Sequence, residues 1–186
     1  MEKIKTLPRT WKTSLSLLLN QLAAESGTPE RIAIVGIGNQ YRCDDAAGIL
    51  IARSLSQHEC VADAHRILIL EAGHAPENST GELRKFAPNL VLLIDAAEMG
   101  KAPGTVEWIS EEDIDGMSAS THSLPLSMLA LYLKMELNCN VILLGIQAAS
   151  NEVGETVSSE VLQAVNEIVK ELEGAILSCM SVGSQA

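Results

Sequence analysis

Two adjacent acids, Asp44 and Asp45, follow a glycine-rich turn in GIGNQYRCDDAAG (36–48). A third, Asp95, ends the apolar run LVLLID (90–95), and His122 stands in STHSLP (120–125). Carboxylates with an imidazole make a mixed oxygen and nitrogen donor set, which suits a borderline divalent metal such as Zn, Ni, Mn or Fe. Each residue also has a plainer reading. Acids in a first helical turn act as caps, Asp95 could accept a loop N–H, and His122 could be an ordinary loop histidine. Asp95 is the hardest to explain plainly, because an acid closing a wholly apolar strand must be solvated, paired or coordinated.

These residues need elements that bring them together. RIAIVGIG (31–38) is a β-branched run ending in glycine, and DDAAGILIARSLSQ (44–57) has helical composition with acids in its first turn. The alternation continues with a strand at HRILILEAG (65–73), a helix at ENSTGELRKFA (77–87) and a buried strand at LVLLIDAAEMG (90–100). GTVEWIS (104–110) alternates like an edge strand, LPLSMLALYLKMELN (124–138) is helical, and NVILLGIQ (140–147) is again a continuous apolar strand. SSEVLQAVNEIVKELEGAIL (158–177) closes the pattern as an amphipathic helix with Ser158 or Ser159 as N-cap. Apolar strands alternating with helices predict an α/β fold: a three-layer α/β/α sandwich around a mostly parallel sheet of about five strands. In such a sheet ligands bind outside the carboxyl ends of the strands, which is where Asp44, Asp45, Asp95 and His122 are expected. Residues 1–30, with apolar Trp11, Leu15, Leu18, Leu19 and Leu22 at helical spacing, form an N-terminal helical extension before a single domain at 31–180.

The formal charge is −11, and residues 1–30 hold four basic and three acidic side chains, leaving nine against twenty-one for the rest. So acidic a body repels phosphate backbones, which argues against a nucleic-acid partner. No apolar run approaches the roughly 20 residues of a membrane span. Four widely spaced cysteines without a CxxC pair read as reduced thiols, and with no cleavable signal the expected location is the cytoplasm.

The blocks GIGNQYRCDDAAG, EAGHAPEN, LLIDAAEMGKAPGTV, STHSLPLSMLALYL and VILLGIQ resemble, in order, those of the endopeptidases that mature the large subunit of nickel-iron hydrogenases. The resemblance spans about residues 31–170, and the APEN and DAAEMG blocks resemble the branch serving hydrogenase 3 type enzymes most. Carried over by position, the family's metal-contacting and catalytic set falls on Asp45, Asp95 and His122, which leaves Asp44 to hold the loop or cap the helix. The resemblance implies a cytoplasmic endopeptidase that removes the C-terminal extension of the large-subunit precursor after nickel insertion. Nickel is then presented by the substrate, other divalent ions are expected to enter the same set in the isolated protein, and the free protein is expected to be a monomer. The base could be an aspartate or a metal-activated water. The sequence departs from the family pattern at Cys43, where glycine, serine or threonine is common, at Ala46, where glycine is common, and at GIQAAS after the last strand.

Other readings compete. Cys43 near a helix start could be a nucleophile with His122 as its base. GIGN could be a nucleotide loop, although the GxGxxG run is missing. Gly73 and His74, with Glu77 or Asn78, could face the same crevice. A metal-binding checkpoint protein that docks on the nickel-loaded precursor without cutting it is the non-enzymatic alternative, and a small-molecule hydrolase would need a nucleophile motif such as GxSxG that is not found.

Overall fold

Short aliphatic runs bounded by glycines and turns form five strands: β1 (Ile32–Ile37), β2 (Ile67–Gly73), β3 (Leu90–Ala97), β4 (Val106–Ser110) and β5 (Asn140–Gln147). The computed structural model describes residues 10–26, 31–58, 65–110 and 125–182. The strands join in one sheet of order β2-β1-β3-β5-β4. β2, β1, β3 and β5 run parallel, and β4 pairs antiparallel with β5 at one edge. The central strands are buried on both faces, which is why they read as unbroken apolar runs.

The helices are α1 (Trp11–Ser26), α2 (Ala47–Ser56), α3 (Thr80–Phe86), α4 (Leu126–Leu137) and α5 (Ser159–Val182). Side-chain alternation along the strands sends Ile32, Ile34, Leu90, Leu92 and Ile94 into a core shared with α1, α2 and α5. Ala33, Val35, Val91, Leu93 and Leu143 enter a second core with α3 and α4 on the opposite face. The expected three-layer sandwich is therefore observed. Trp11, Leu15 and Leu22 of α1 belong to the first core, and Lys12 reaches Glu167 and Glu171 of α5 at 2.7 and 3.0 Å. The N-terminal helix is thus packed as a layer element.

Helix ends follow local chemistry. The run expected to be helical from residue 44 starts as a 3-10 turn, Cys43–Ala46, before α2, and another 3-10 turn, Pro76–Ser79, precedes α3. Ala87 and Asn138 adopt left-handed conformations that end α3 and α4, returning their N–H groups to Leu83 O and Lys134 O. Ser158 Oγ lies 3.4 Å from Val161 N, which selects Ser158 over Ser159 as the cap of α5. Among the described residues no helix is long and apolar enough to cross a membrane.

Candidate active site

From β1 the chain turns to β2 on one side, whereas β3 lies on the other, so strand order reverses between β1 and β3. At such a switch point the loops part and leave a crevice at the carboxyl ends of the two strands. Asp45, in the 3-10 turn after β1, and Asp95, near the end of β3, both stand at this carboxyl edge of the sheet.

Glycines permit the approach. A Cβ on Gly38, whose φ is +129°, would stand 1.7 Å from Asp45 O, and a Cβ on Gly48 would stand 2.2 Å from Ile94 O and 2.4 Å from Ile37 O. The first turn of α2 is therefore wedged between the ends of β1 and β3, and only residues without a side chain allow it. Asn39 completes the turn: its N–H donates to Asp45 O at 3.0 Å, and its Oδ1 accepts Tyr41 N–H at 3.0 Å. Arg42 N–H donates to Asn39 O, and Asp45 N–H to Arg42 O. The N–H groups of Gly38 and Asn39 are thus engaged by Gly73 O and Asp45 O, which speaks against a phosphate-cradling loop.

The acid pair divides its work. Asp44 is fully buried, and its carboxylate accepts Ser158 N–H at 2.7 Å, Ala149 N–H at 2.7 Å, Ser150 N–H at 3.1 Å and the Ser158 hydroxyl at 3.0 Å. Burial by itself would raise its pKa, but these donors outweigh burial and hold it below the usual carboxylate range. Asp44 does not cap its own helix, since neither the 3-10 turn nor α2 has a side-chain cap. It holds the β5–α5 loop, because the strong donors lie there. Asp45 and Asp95 are 8 % and 2 % exposed. Along β3, Asp95 is in phase with Val91 and Leu93, on the face that α4 covers.

His122 lies outside the described residues, four positions before α4 begins. Among the described residues no three His, Cys, Asp or Glu side chains cluster as a metal site. Asp45 and Asp95 are the described part of the expected set, and buried carboxylates of this kind fit a divalent cation. Gly73 adopts φ +64° and its carbonyl accepts Gly38 N–H at 3.0 Å, while the neighbouring His74 is exposed.

Cys43 does not look like a nucleophile. Burial, followed by the charge of Asp44, pushes its thiol pKa up, and Sγ donates to Thr156 O at 3.1 Å. Reactive thiols are shifted the other way. Gln147 is a positioning residue that sequence reasoning passed over. It is buried at the end of β5, and its Oε1 accepts Met99 N–H at 2.7 Å and Lys101 N–H at 3.1 Å, fixing the loop that follows Asp95. The signal was available: an amide closing an apolar strand raises the same question as Asp95.

Fold and site together define an α/β/α protein with an acidic centre at its topological switch point. Residues 49–175 match the model of the hydrogenase maturation protease family, and the chain belongs to that family. The hydrogenase 3 maturation protease of Escherichia coli K12 is 32% identical over 139 residues, covering 74% of this chain and 86% of the relative. The crystal structure of the nickel-iron hydrogenase maturation protease HycI from Thermococcus kodakarensis superimposes with a TM-score of 0.73 at 33% identity, covering 87% of this chain and 99% of that one. The E. coli maturating endopeptidase HybD, at 22% identity and a TM-score of 0.64 over 80% of this chain and 93% of that one, shares the fold. The protein is thus a protease of the class expected from the ordered sequence blocks.

Proposed function

We propose that this protease removes the C-terminal extension of a nickel-iron hydrogenase large-subunit precursor after nickel has been inserted, and that Asp45, Asp95 and His122 meet the substrate's nickel. The observation that carries the reading is the placement of two buried carboxylates, Asp45 and Asp95, at the carboxyl ends of adjacent strands where strand order reverses. Such burial is costly for acids that serve only as surface charge. It strengthens their attraction for a cation entering the crevice.

Nickel held by the soft thiolates of the substrate can take harder oxygen and imidazole ligands from the protease. The precursor would then be recognised by its metal as well as by its chain, and nickel-free precursor would bind less well. With the scissile segment positioned, a carboxylate of the site can accept a proton from the attacking water as its oxygen adds to the scissile carbonyl, and return that proton to the leaving nitrogen as the C–N bond breaks. Asp44 takes no part in this step, because its oxygens are engaged by the β5–α5 loop.

The test is cleavage of nickel-loaded precursor by the wild type and by Asp45→Ala, Asp95→Ala and His122→Ala, with nickel-free precursor as control. Shortening of the loaded precursor alone, lost in all three variants, supports the reading. Equal cutting of both precursors removes nickel recognition, and binding without cutting by the wild type would favour the checkpoint alternative.

A further inference from the structure

Met128, Leu131, Tyr132 and Met135 of α4 are 58, 51, 39 and 77 % exposed. Their spacing places them on one stripe of the helix, opposite Leu126, Leu129, Ala130 and Leu133, which fill the second core. The helix is therefore apolar on two faces, and among the described residues only one belongs to a core. Arg84 of α3 borders the stripe, donating to the Tyr132 hydroxyl and pairing with Glu136 at 3.1 Å. Methionine, tyrosine and arginine are the residue types that protein interfaces concentrate.

The exposed part of these four side chains is on the order of 450 Å², within the range of patches that mark interaction sites. Symmetric pairing of two copies over the stripe would cover on the order of 900 Å², short of the roughly 1,200 Å² at which stable complexes begin. Two copies would also each carry a net charge of −11. Area and charge both favour a transient partner of another kind.

Position supplies that partner. Two residues separate the end of α4 from the start of β5, and Asn140 N–H donates to Asn89 O beside the start of β3, so the helix delivers the chain to the amino edge of the sheet. Its first turn consequently points to the carboxyl edge, and the stripe runs away from the crevice of Asp45 and Asp95.

We infer that the outer face of α4 docks an apolar patch on the folded body of the substrate protein while the crevice holds the segment to be cut; this rests on the function proposed above. A product that must leave after cleavage calls for an interface of this modest size.

The test compares the wild type with Leu131→Glu/Met135→Glu for affinity to the nickel-loaded large-subunit precursor, cleavage kinetics and sedimentation. Expected are about tenfold weaker binding, a matching rise in KM with kcat nearly unchanged, and wild-type sedimentation as a monomer. Because both side chains are exposed, the melting temperature should hold; if it falls, Met135→Lys alone replaces the double variant. Unchanged affinity in the variant overturns the inference. So does a wild type that does not bind the precursor, or one that dimerises and becomes monomeric on substitution. A wild type that binds but does not cut, with binding still lost in the variant, refutes the functional reading and leaves the docking face standing.

Discussion

Asp44 Oδ1 accepts the backbone N–H of Ser158 at 2.7 Å across 114 residues of sequence. The same carboxylate holds Ala149 and Ser150, so the turn that carries Asp45 and the loop that starts α5 form one rigid unit. The acid beside the candidate metal contact is a strut.

Replacing that strut should be costly. Asp44→Ala takes a buried, charged acceptor away from the part-buried N–H groups of Ala149, Ser150 and Ser158, and hydrogen bonds to a charged group are worth about 1.5 to 3 kcal/mol each, so a loss of about 3 to 5 kcal/mol in total is expected. Because the folded pKa of Asp44 is lowered, its contribution is fully present above the ordinary carboxylate pKa and is lost as pH falls through the depressed value. Urea unfolding at neutral and acidic pH checks this. The gap between wild type and variant should narrow in acid, and a constant gap would sink the assignment.

Gly48→Ala should perturb the site through the backbone. Its Cβ would meet Ile94 O at 2.2 Å, one residue before Asp95, and neither strand end has room to give. We expect a loss of about 3 kcal/mol or more in stability, together with reduced cleavage. An alanine variant with wild-type melting temperature would show that α2 can shift.

Asp95→Asn preserves shape while removing the buried carboxyl group. Cleavage should fall by at least about a hundredfold, as for loss of a group acting on the reacting atoms, whereas circular dichroism and melting should show a folded protein. Retained cleavage would exclude Asp95 from the chemistry.

Cys43 should resist alkylation in the native protein at neutral pH, since the thiol is buried and its pKa is raised. Cys43→Ser should keep most of the cleavage activity. Its φ of +38° also makes Cys43→Gly tolerable, because glycine occupies that conformation without strain. Rapid labelling, or loss of cleavage in the serine variant, would bring back the thiol reading.

Gln147→Leu should loosen the loop after Asp95, because Met99 and Lys101 lose the acceptor for their N–H groups. A cost of about 2 kcal/mol and faster hydrogen exchange at residues 99–101 are expected. Unchanged exchange there would mean that the loop is held by other contacts.

Local composition and periodicity sufficed for the layers of this fold. β1, β3 and β5 are unbroken aliphatic runs because helices cover both of their faces, and β4 alternates because it lies at an edge. Asp95 stood out for the same reason, as a polar residue closing the apolar run of a strand with no solvent-facing side. What composition and periodicity could not decide was the difference between Asp44 and Asp45, which share residue type and environment along the chain and which the resemblance alone divided. The physical reason lies in the arrival of the β5–α5 loop from more than a hundred residues away, which supplies the N–H donors that engage Asp44 and decides for holding the loop over capping the helix. The close approach of α2 to β3 at Gly48, and the face of α4 left bare, were likewise settled by packing. Periodicity reports that a residue is apolar or acidic; which neighbour it meets depends on the distant segments that the tertiary structure places against it.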